Sequence, residues 1–283
     1  MPDNVTFLNA PNRFVEAANG VNYAYRRIGP PTGVPLVLLQ HFRGNLDNWD
    51  PALIDDLARE REVIAFDNTG IGLSSGTTPS TIAQMATDAI AFVSALALTQ
   101  VDLLGFSIGG FVAQEMVLIR PNLVRRLVLA ATAPQGAPGM HGWRQDILEH
   151  ASKATSSGED LLYIFFKHTP TSQAAGVEFL KRFSARTEGR DKASTLATRD
   201  AHYDAIVSWG VPNHSLLERL SGIGQPVFVA NGDDDLMILP RYTHVLGGLI
   251  PNATTKIYPD AAHAFLFQYP HEFAADVNAF LGD

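Results

Sequence analysis

The sequence predicts an α/β fold: a mostly parallel sheet flanked by helices, with a helical insertion late in the chain. Three observations carry that prediction. From Leu36 to Ala130, short apolar runs alternate with helical patterns at intervals of about 25 to 30 residues, the spacing of successive βαβ units. The runs are apolar at consecutive positions, as in strands buried on both faces. Finally, 101–106 reads VDLLGF and leads through Ser107-Ile108-Gly109-Gly110 into helical spacing over 111–118. That is strand, sharp turn and helix, with a serine at the apex.

In chain order, Phe14-Val15-Glu16-Ala17 and Val21-Asn22-Tyr23-Ala24-Tyr25 flank Asn19-Gly20 and read as a hairpin. Pro30-Pro31-Thr32-Gly33 is a turn. Leu36–Gln40 and Val63–Phe66 are buried strands, separated by an amphipathic helix over Leu53–Glu60. Thr81–Leu98 is a long helix with Ile82, Met85, Ala89, Val93 and Leu96 on its apolar side. After the Ser107 strand and helix comes a strand over Arg126–Ala130. From Pro134 to Trp209 the strand pattern stops. Leu161–Phe166 is apolar all round and is read as helix, and 174–186 and 197–207 are helical. Pro134–Gly139 and Gly210–Asn213 lead into and out of this insertion. Its aromatic residues include Trp143, Phe165, Phe166 and Trp209, mostly for packing and some to line a pocket. A strand resumes at Pro226–Asn231 and ends in Gly232-Asp233-Asp234-Asp235. Tyr242–Leu249 is helical, Thr254–Tyr258 is the last strand, Pro259–His263 is a loop and Phe273–Leu281 is the closing helix.

A chain of 283 residues forms one large domain or a core plus a subdomain. With 46% hydrophobic and 18% charged residues it has a globular profile. Its 21 basic and 29 acidic residues leave a net charge of −8, which argues against binding nucleic acid or an anionic membrane. The absence of Cys excludes disulfides, zinc–thiolate sites and a cysteine nucleophile. The N-terminus has no basic segment followed by an apolar one, so no signal peptide is expected. No apolar run is long enough to span a membrane, and a cytoplasmic protein is expected. The sequence does not indicate an oligomeric state.

The Ser107 turn places its serine in a strained backbone conformation at a helix N-terminus. Side chains two positions away would collide with it, which explains Gly105 and Gly109. There the free N–H groups and the helix dipole favour negative charge. A serine hydroxyl needs a base within hydrogen-bond reach. His263 follows the last strand, and in an open parallel sheet that edge is shared with Ser107. His41 also follows a strand and is the rival base. His150, His168, His202, His214, His244 and His271 are expected in surface or capping roles. An orienting carboxylate is expected from Asp233, Asp234 or Asp235, with Asp67 as the outside candidate. Two N–H donors for an oxyanion are expected: Ile108, and one from Gln40-His41-Phe42-Arg43-Gly44.

These segments resemble the α/β-hydrolase fold family from about residue 12 to 283. Gly105-Phe106-Ser107-Ile108-Gly109-Gly110 is similar to the family's nucleophile elbow. Asn231-Gly232-Asp233-Asp234-Asp235 resembles its acid loop, which selects Asp235, and Pro259-Asp260-Ala261-Ala262-His263 resembles its histidine loop. The chain order Ser, Asp, His matches as well. The resemblance is greatest to small esterases, lactonases and cofactor-free haloperoxidases. It implies an eight-stranded sheet, a hydrolase core over 1–134 and 213–283, and a helical cap over 135–212. It also implies a small-molecule ester or lactone substrate cleaved through an acyl-enzyme on Ser107, His263 and Asp235, with no metal or organic cofactor. C–C hydrolysis, thioester hydrolysis, acyl transfer, perhydrolysis and a non-catalytic ligand-binding role are alternatives on the same scaffold. One departure concerns the oxyanion loop, where the family has His-Gly-x and this chain has Gln40-His41-Phe42. Counting from Pro35 makes Phe42 the donor; matching the histidines makes it Arg43. Arg43 is expected to pair with a substrate acid, Asp67 or a cap carboxylate. His41, Arg43, Trp143, Phe165 and Phe166 are the expected pocket residues.

Overall fold

The computed structural model describes residues 5–138 and 142–282. The first four residues of the N-terminal reading, Gly139 of the segment leading into the insertion, and Asp283 lie outside the described residues.

Eight strands form one sheet in the order β1-β2-β4-β3-β5-β6-β7-β8. β1 (Arg13–Glu16) and β2 (Asn22–Ile28) form the hairpin, and Gly20 takes φ +77° in its loop. β2 pairs antiparallel with β4 (Val63–Phe66), and every later pairing is parallel. Those strands are β3 (Leu36–Leu39), β5 (Val101–Phe106), β6 (Val124–Ala130), β7 (Val227–Gly232) and β8 (Ala253–Tyr258). All residues of β3, β4, β5 and β7 are buried, as their unbroken apolar runs required.

Helices cover the sheet in two layers. α1 (Pro51–Leu57) packs on the closing helix at the chain end, and α2 (Ile82–Ala95) packs on α3 (Ile108–Ile119). α1 starts at Asp50, whose carboxylate accepts from the Ala52 N–H at 3.0 Å, with Pro51 in the first helical position. α2 stops before the expected Leu98 because Ala97 turns left-handed at φ +57°.

Among the described residues, five α-helices and a 3-10 turn over Glu218–Gly222 lie between β6 and β7: α4 (Gln145–Ala151), α5 (Gly158–Phe165), α6 (Pro170–Phe183), α7 (Leu196–Trp209) and the short α8 (His214–Leu217). Ser157, Thr169 and Thr195 cap α5, α6 and α7 through their hydroxyls. The apolar run 161–166 is therefore helix through Phe165, as the sequence reading had it. The two ends of the insertion meet: the Gly136 N–H donates to Trp209 O at 2.9 Å, and the Asn213 N–H donates to Gly136 O at 3.0 Å. Gly136 sits at φ +77°, and a Cβ there would lie 2.4 Å from Asn213 O. Trp209 stacks on Phe111 and its indole N–H donates to Ala133 O at 3.2 Å, so it belongs to the core. After β7 come α9 (Arg241–Leu249), the short α10 (Phe265–Gln268) and α11 (Pro270–Leu281).

One ion pair joins α6 to the α1 cap. Arg182 donates from Nε and Nη2 to the two Asp50 carboxylate oxygens at 2.9 and 2.7 Å, and Asp50 is fully buried. Arg182→Ala leaves that buried charge unpaired. It should lower the unfolding free energy by about 3 kcal/mol in urea titration. A loss below about 1 kcal/mol would instead mean that solvent screens the pair.

Candidate active site

Ser107 lies between β5 and α3 with φ +59° and ψ −122°, a conformation costly for any residue with a side chain. Hydrogen bonds hold it there. Its N–H donates to Ala130 O at 2.9 Å, and its carbonyl accepts from the Gly110 N–H and the Thr132 hydroxyl, both at 2.9 Å. Around it, backbone approaches too closely for side chains. A Cβ at Gly105 would lie 2.4 Å from Gly109 O, and one at Gly109 would lie 2.1 Å from Leu39 O. Gly110 is equally constrained, 2.4 Å from the Thr132 hydroxyl oxygen, a demand set by the neighbouring strand and not visible in the local motif. The Ile108 N–H opens α3 and has no acceptor within the helix.

Of the three consecutive aspartates after β7, it is Asp235 that meets His263. Its Oδ2 lies 2.8 Å from His263 Nδ1, and its Oδ1 accepts from the Met237 and Ile238 N–H groups at 2.8 and 2.9 Å. A carboxylate accepts, so Nδ1 carries the hydrogen and Nε2 of the neutral ring is left as an acceptor. Asp233 instead splices the acid and histidine loops, accepting from the Asp260 and Ala261 N–H groups at 3.0 and 3.1 Å and from Lys167 at 3.2 Å. Burial works to raise its carboxyl, but these donors hold it below the usual carboxylate range. A Cβ at Gly232 would lie 2.4 Å from both Ala261 O and Ala262 O, so the two loops need glycine there.

The outside candidates are placed elsewhere. Asp67 accepts from the Leu46 and Leu73 N–H groups at 2.8 and 3.0 Å and does not contact His263. Burial and then the neighbouring Asp191 charge push its carboxyl well above the usual range. His41 does reach the site, but its Nδ1 bonds Phe42 O at 2.9 Å, and no carboxylate holds it among the described residues.

The loop after β3 corrects two expectations. Among the described residues Arg43 meets neither Asp67 nor a cap carboxylate: its guanidinium donates to Lys153 O, Ala154 O and Ser194 Oγ at 2.7, 2.8 and 3.1 Å. These neutral acceptors sit on the segments flanking α5 and α7, so Arg43 fastens the loop to the insertion. The second correction is His202, which is not a surface residue. It is 2% exposed, and its Nδ1 accepts from the Arg43 N–H at 3.0 Å. The signal for its burial was present: Thr198, His202, Ala205, Ile206 and Trp209 form the buried stripe of α7 at helical spacing. With the Arg43 N–H committed to His202, the Phe42 N–H is the loop donor without an acceptor among the described residues.

Ser107, His263, His41, Phe42 and Arg43 line one cavity of about 420 Å³ together with Phe165 and Met237. Asn45, Asp47, Asn48, Arg190 and Asp191 add polar groups to its wall, none of them singled out from the sequence. Rings frame it: His41 meets Phe106 and Phe165 edge-on at 5.3 Å each, and Phe106 lies 5.2 Å from His263. Trp143 does not line this cavity. It meets the Phe42 ring edge-on at 5.2 Å and lines an adjoining cavity of about 200 Å³ with Phe42, Arg199 and Tyr203. Phe166 lines neither. It is 1% exposed and packs on Phe179, because the α5 end turns neighbouring residues to different sides. Among the described residues no group of three or more His, Cys, Asp or Glu is placed to hold a metal ion, and no helix is long and apolar enough to cross a membrane.

His41 and His202 are both neutral in the fold. Burial lowers His41 from the usual 6.5 to about 3; its bond to Phe42 O opposes this, and repulsion from His263 and His202 when they are protonated adds to it. Burial and then the Arg43 charge lower His202 to about 4. In the unfolded chain both protonate near the ordinary value, so below it the unfolded state binds more protons. The stabilising contribution is complete above pH 6.5 and is lost as pH falls toward 4 for His202 and 3 for His41. Each histidine costs about 1.4 kcal/mol per pH unit in that window. Urea titration should give an unfolding free energy about 3 to 4 kcal/mol lower at pH 5 than at pH 7, and His202→Asn should remove about half of that difference.

The family model for the alpha/beta hydrolase fold matches residues 34–270. A solved alpha/beta hydrolase fold protein from Chitinophaga pinensis superposes with a TM-score of 0.93 at 38% identity, covering 99% of this chain and 100% of that one. The non-heme chloroperoxidase of Streptomyces lividans is 26% identical, over 94% of this chain and 98% of its own length. A pimeloyl-acyl-carrier-protein methyl ester esterase of Aliivibrio salmonicida is 25% identical, over 88% and 92%. With its eight-stranded sheet and a match that spans most of its length, this chain belongs to the alpha/beta hydrolase fold family.

Proposed function

We propose that this protein is a serine hydrolase that cleaves a small carboxylic ester or lactone through an acyl-enzyme. The observation that carries this reading is the His263–Asp235 pair, at 2.8 Å, opening on the same cavity as a strained Ser107. Ser107 Oγ attacks the carbonyl while His263 Nε2 takes its proton. Asp235 keeps the other ring nitrogen protonated and stabilises the imidazolium. The carbonyl oxygen becomes an anion facing the Phe42 and Ile108 N–H groups, the loop donor with no acceptor among the described residues and the first N–H of α3. Collapse expels the alcohol, which takes its proton from His263. Water, deprotonated by the same nitrogen, then releases the acid.

The segment over 135–212 acts as a cap on the core formed by 1–134 and 213–283, and it bounds the substrate. A cavity of about 420 Å³ suits a compact molecule, and its mixed lining suits a substrate that carries polar groups beyond the reacting carbonyl. The relative named as a methyl ester esterase supports ester cleavage. The relative named as a non-heme chloroperoxidase favours one variant, in which hydrogen peroxide, deprotonated by His263, attacks in place of water, so that the acyl group leaves as a peroxyacid and Ser107 Oγ regains its proton.

A fluorophosphonate probe tests the reading without a substrate guess. Peptide mass spectrometry should place the adduct on Ser107, with none on Ser107→Ala and slowed labelling in His263→Ala. On an ester and lactone panel, either variant should lower kcat by about three or more orders of magnitude. A wild-type protein that takes no adduct and hydrolyses nothing on the panel would refute the assignment.

A further inference from the structure

We infer that His41 and His202 are positioning residues that clamp the peptide between Phe42 and Arg43, and so aim the Phe42 N–H at the reacting carbonyl oxygen. The inference rests on the hydrolase reading above and deepens it.

The peptide has two polar groups, and an imidazole holds each. His41 Nδ1 lies 2.9 Å from the Phe42 carbonyl oxygen, which only accepts, so that nitrogen is protonated. His202 Nδ1 lies 3.0 Å from the Arg43 N–H, which only donates, so that nitrogen is bare. The two histidines thus hold opposite tautomers. A flipped peptide would set carbonyl against lone pair at His202 and N–H against N–H at His41. One orientation is satisfied and the other fails at both ends.

The clamp reaches Phe42 N–H through ring closure. The His41 side chain bonds the carbonyl of the next residue, enclosing the peptide that carries the Phe42 N–H. On its other side, the His41 N–H donates to Gln40 Oε1 at 2.9 Å. That donor is therefore restrained from both directions. The restraint is needed because Arg43 sits at φ +62°, a region that disfavours side chains, and the loop has an easier alternative in extended backbone. Burial keeps both rings neutral, which the His202 bond requires because a protonated Nδ1 could not accept from the Arg43 N–H. His202 comes from α7, so the clamp is complete only with α7 seated on the loop.

The test uses the full-length protein and p-nitrophenyl acetate, with kcat and KM measured separately. His202→Leu keeps the volume and removes the acceptor; His202→Asn keeps an acceptor near the Nδ1 position. A misaimed oxyanion donor weakens the transition state more than the ground state. His202→Leu should therefore lower kcat by about 30- to 300-fold with KM within about twofold, and His202→Asn should recover kcat to within about fivefold of wild type. The Arg43 amide should exchange with solvent at least about tenfold faster in His202→Leu than in wild type or His202→Asn. If His202→Leu does not fold, His41→Phe serves instead: it keeps the ring between Phe106 and Phe165, removes the donor, and should show the same loss in kcat alone.

An unchanged kcat in the variant that folds would overturn the clamp, as would a loss that falls on KM, or one that His202→Asn does not recover. Those outcomes leave Ser107 labelling by fluorophosphonate intact. A wild type that neither labels at Ser107 nor cleaves the ester refutes the hydrolase reading itself, and the clamp with it.

Discussion

The site depends on how closely backbone packs against backbone at the C-terminal edge of the sheet. Four parallel strands deliver their loops there, and three contacts between them leave no room for a side chain. Gly109 lies against the Leu39 carbonyl, Gly105 against Gly109, and Gly232 against the carbonyls of Ala261 and Ala262. The first brings the loop after β3 over the start of α3. The second lets Ser107 take its left-handed turn. The third seats the histidine loop on the acid loop. A methyl group at any of these positions would push two backbones apart by about an ångström, enough to change how Ser107, His263 and the loop after β3 meet at one cavity.

Polar ties then set where the insertion sits on this edge. Arg182 holds buried Asp50, Arg43 grips carbonyls near α4 and α5, and the Asp191 N–H donates to Asp47 Oδ2 at 2.7 Å. Asn45 adds a bond to Lys192 O at 3.1 Å. Apolar contact alone is non-directional, and these bonds supply the direction. They also run through the loop that carries Phe42, so the geometry above Ser107 and the placement of α7 are parts of one network.

Much of the fold was legible because burial on both faces of a parallel strand leaves an unmistakable apolar run, and because Ser107 sits in a local pattern whose glycines have a steric reason. Asp235 was legible only through the family resemblance, since three consecutive aspartates look alike. The structure separates them by their bonds: Asp233 is spent on the Asp260 and Ala261 N–H groups, while Asp235 reaches His263. His202 was misread. Its stripe on α7 was visible, but a stripe says that a side chain is buried, not what it touches. Phe165 and Phe166 show the same limit, since adjacent apolar residues carry the same sequence signal and only the end of α5 sends one to the cavity and the other to Phe179.

The sequence by itself determined the strand and helix order, the strained serine turn and the side of the sheet to which Ser107, His263 and the aspartates return. These follow from periodicity and sterics, which are properties of neighbouring residues. Only the tertiary structure decided which aspartate meets His263, that Arg43 binds backbone carbonyls near α5, and that His202 takes the Arg43 N–H and leaves Phe42 as the loop donor with no acceptor among the described residues. Each of those is a hydrogen bond between residues far apart in the chain, and partner choice at that range depends on packing that no local pattern encodes.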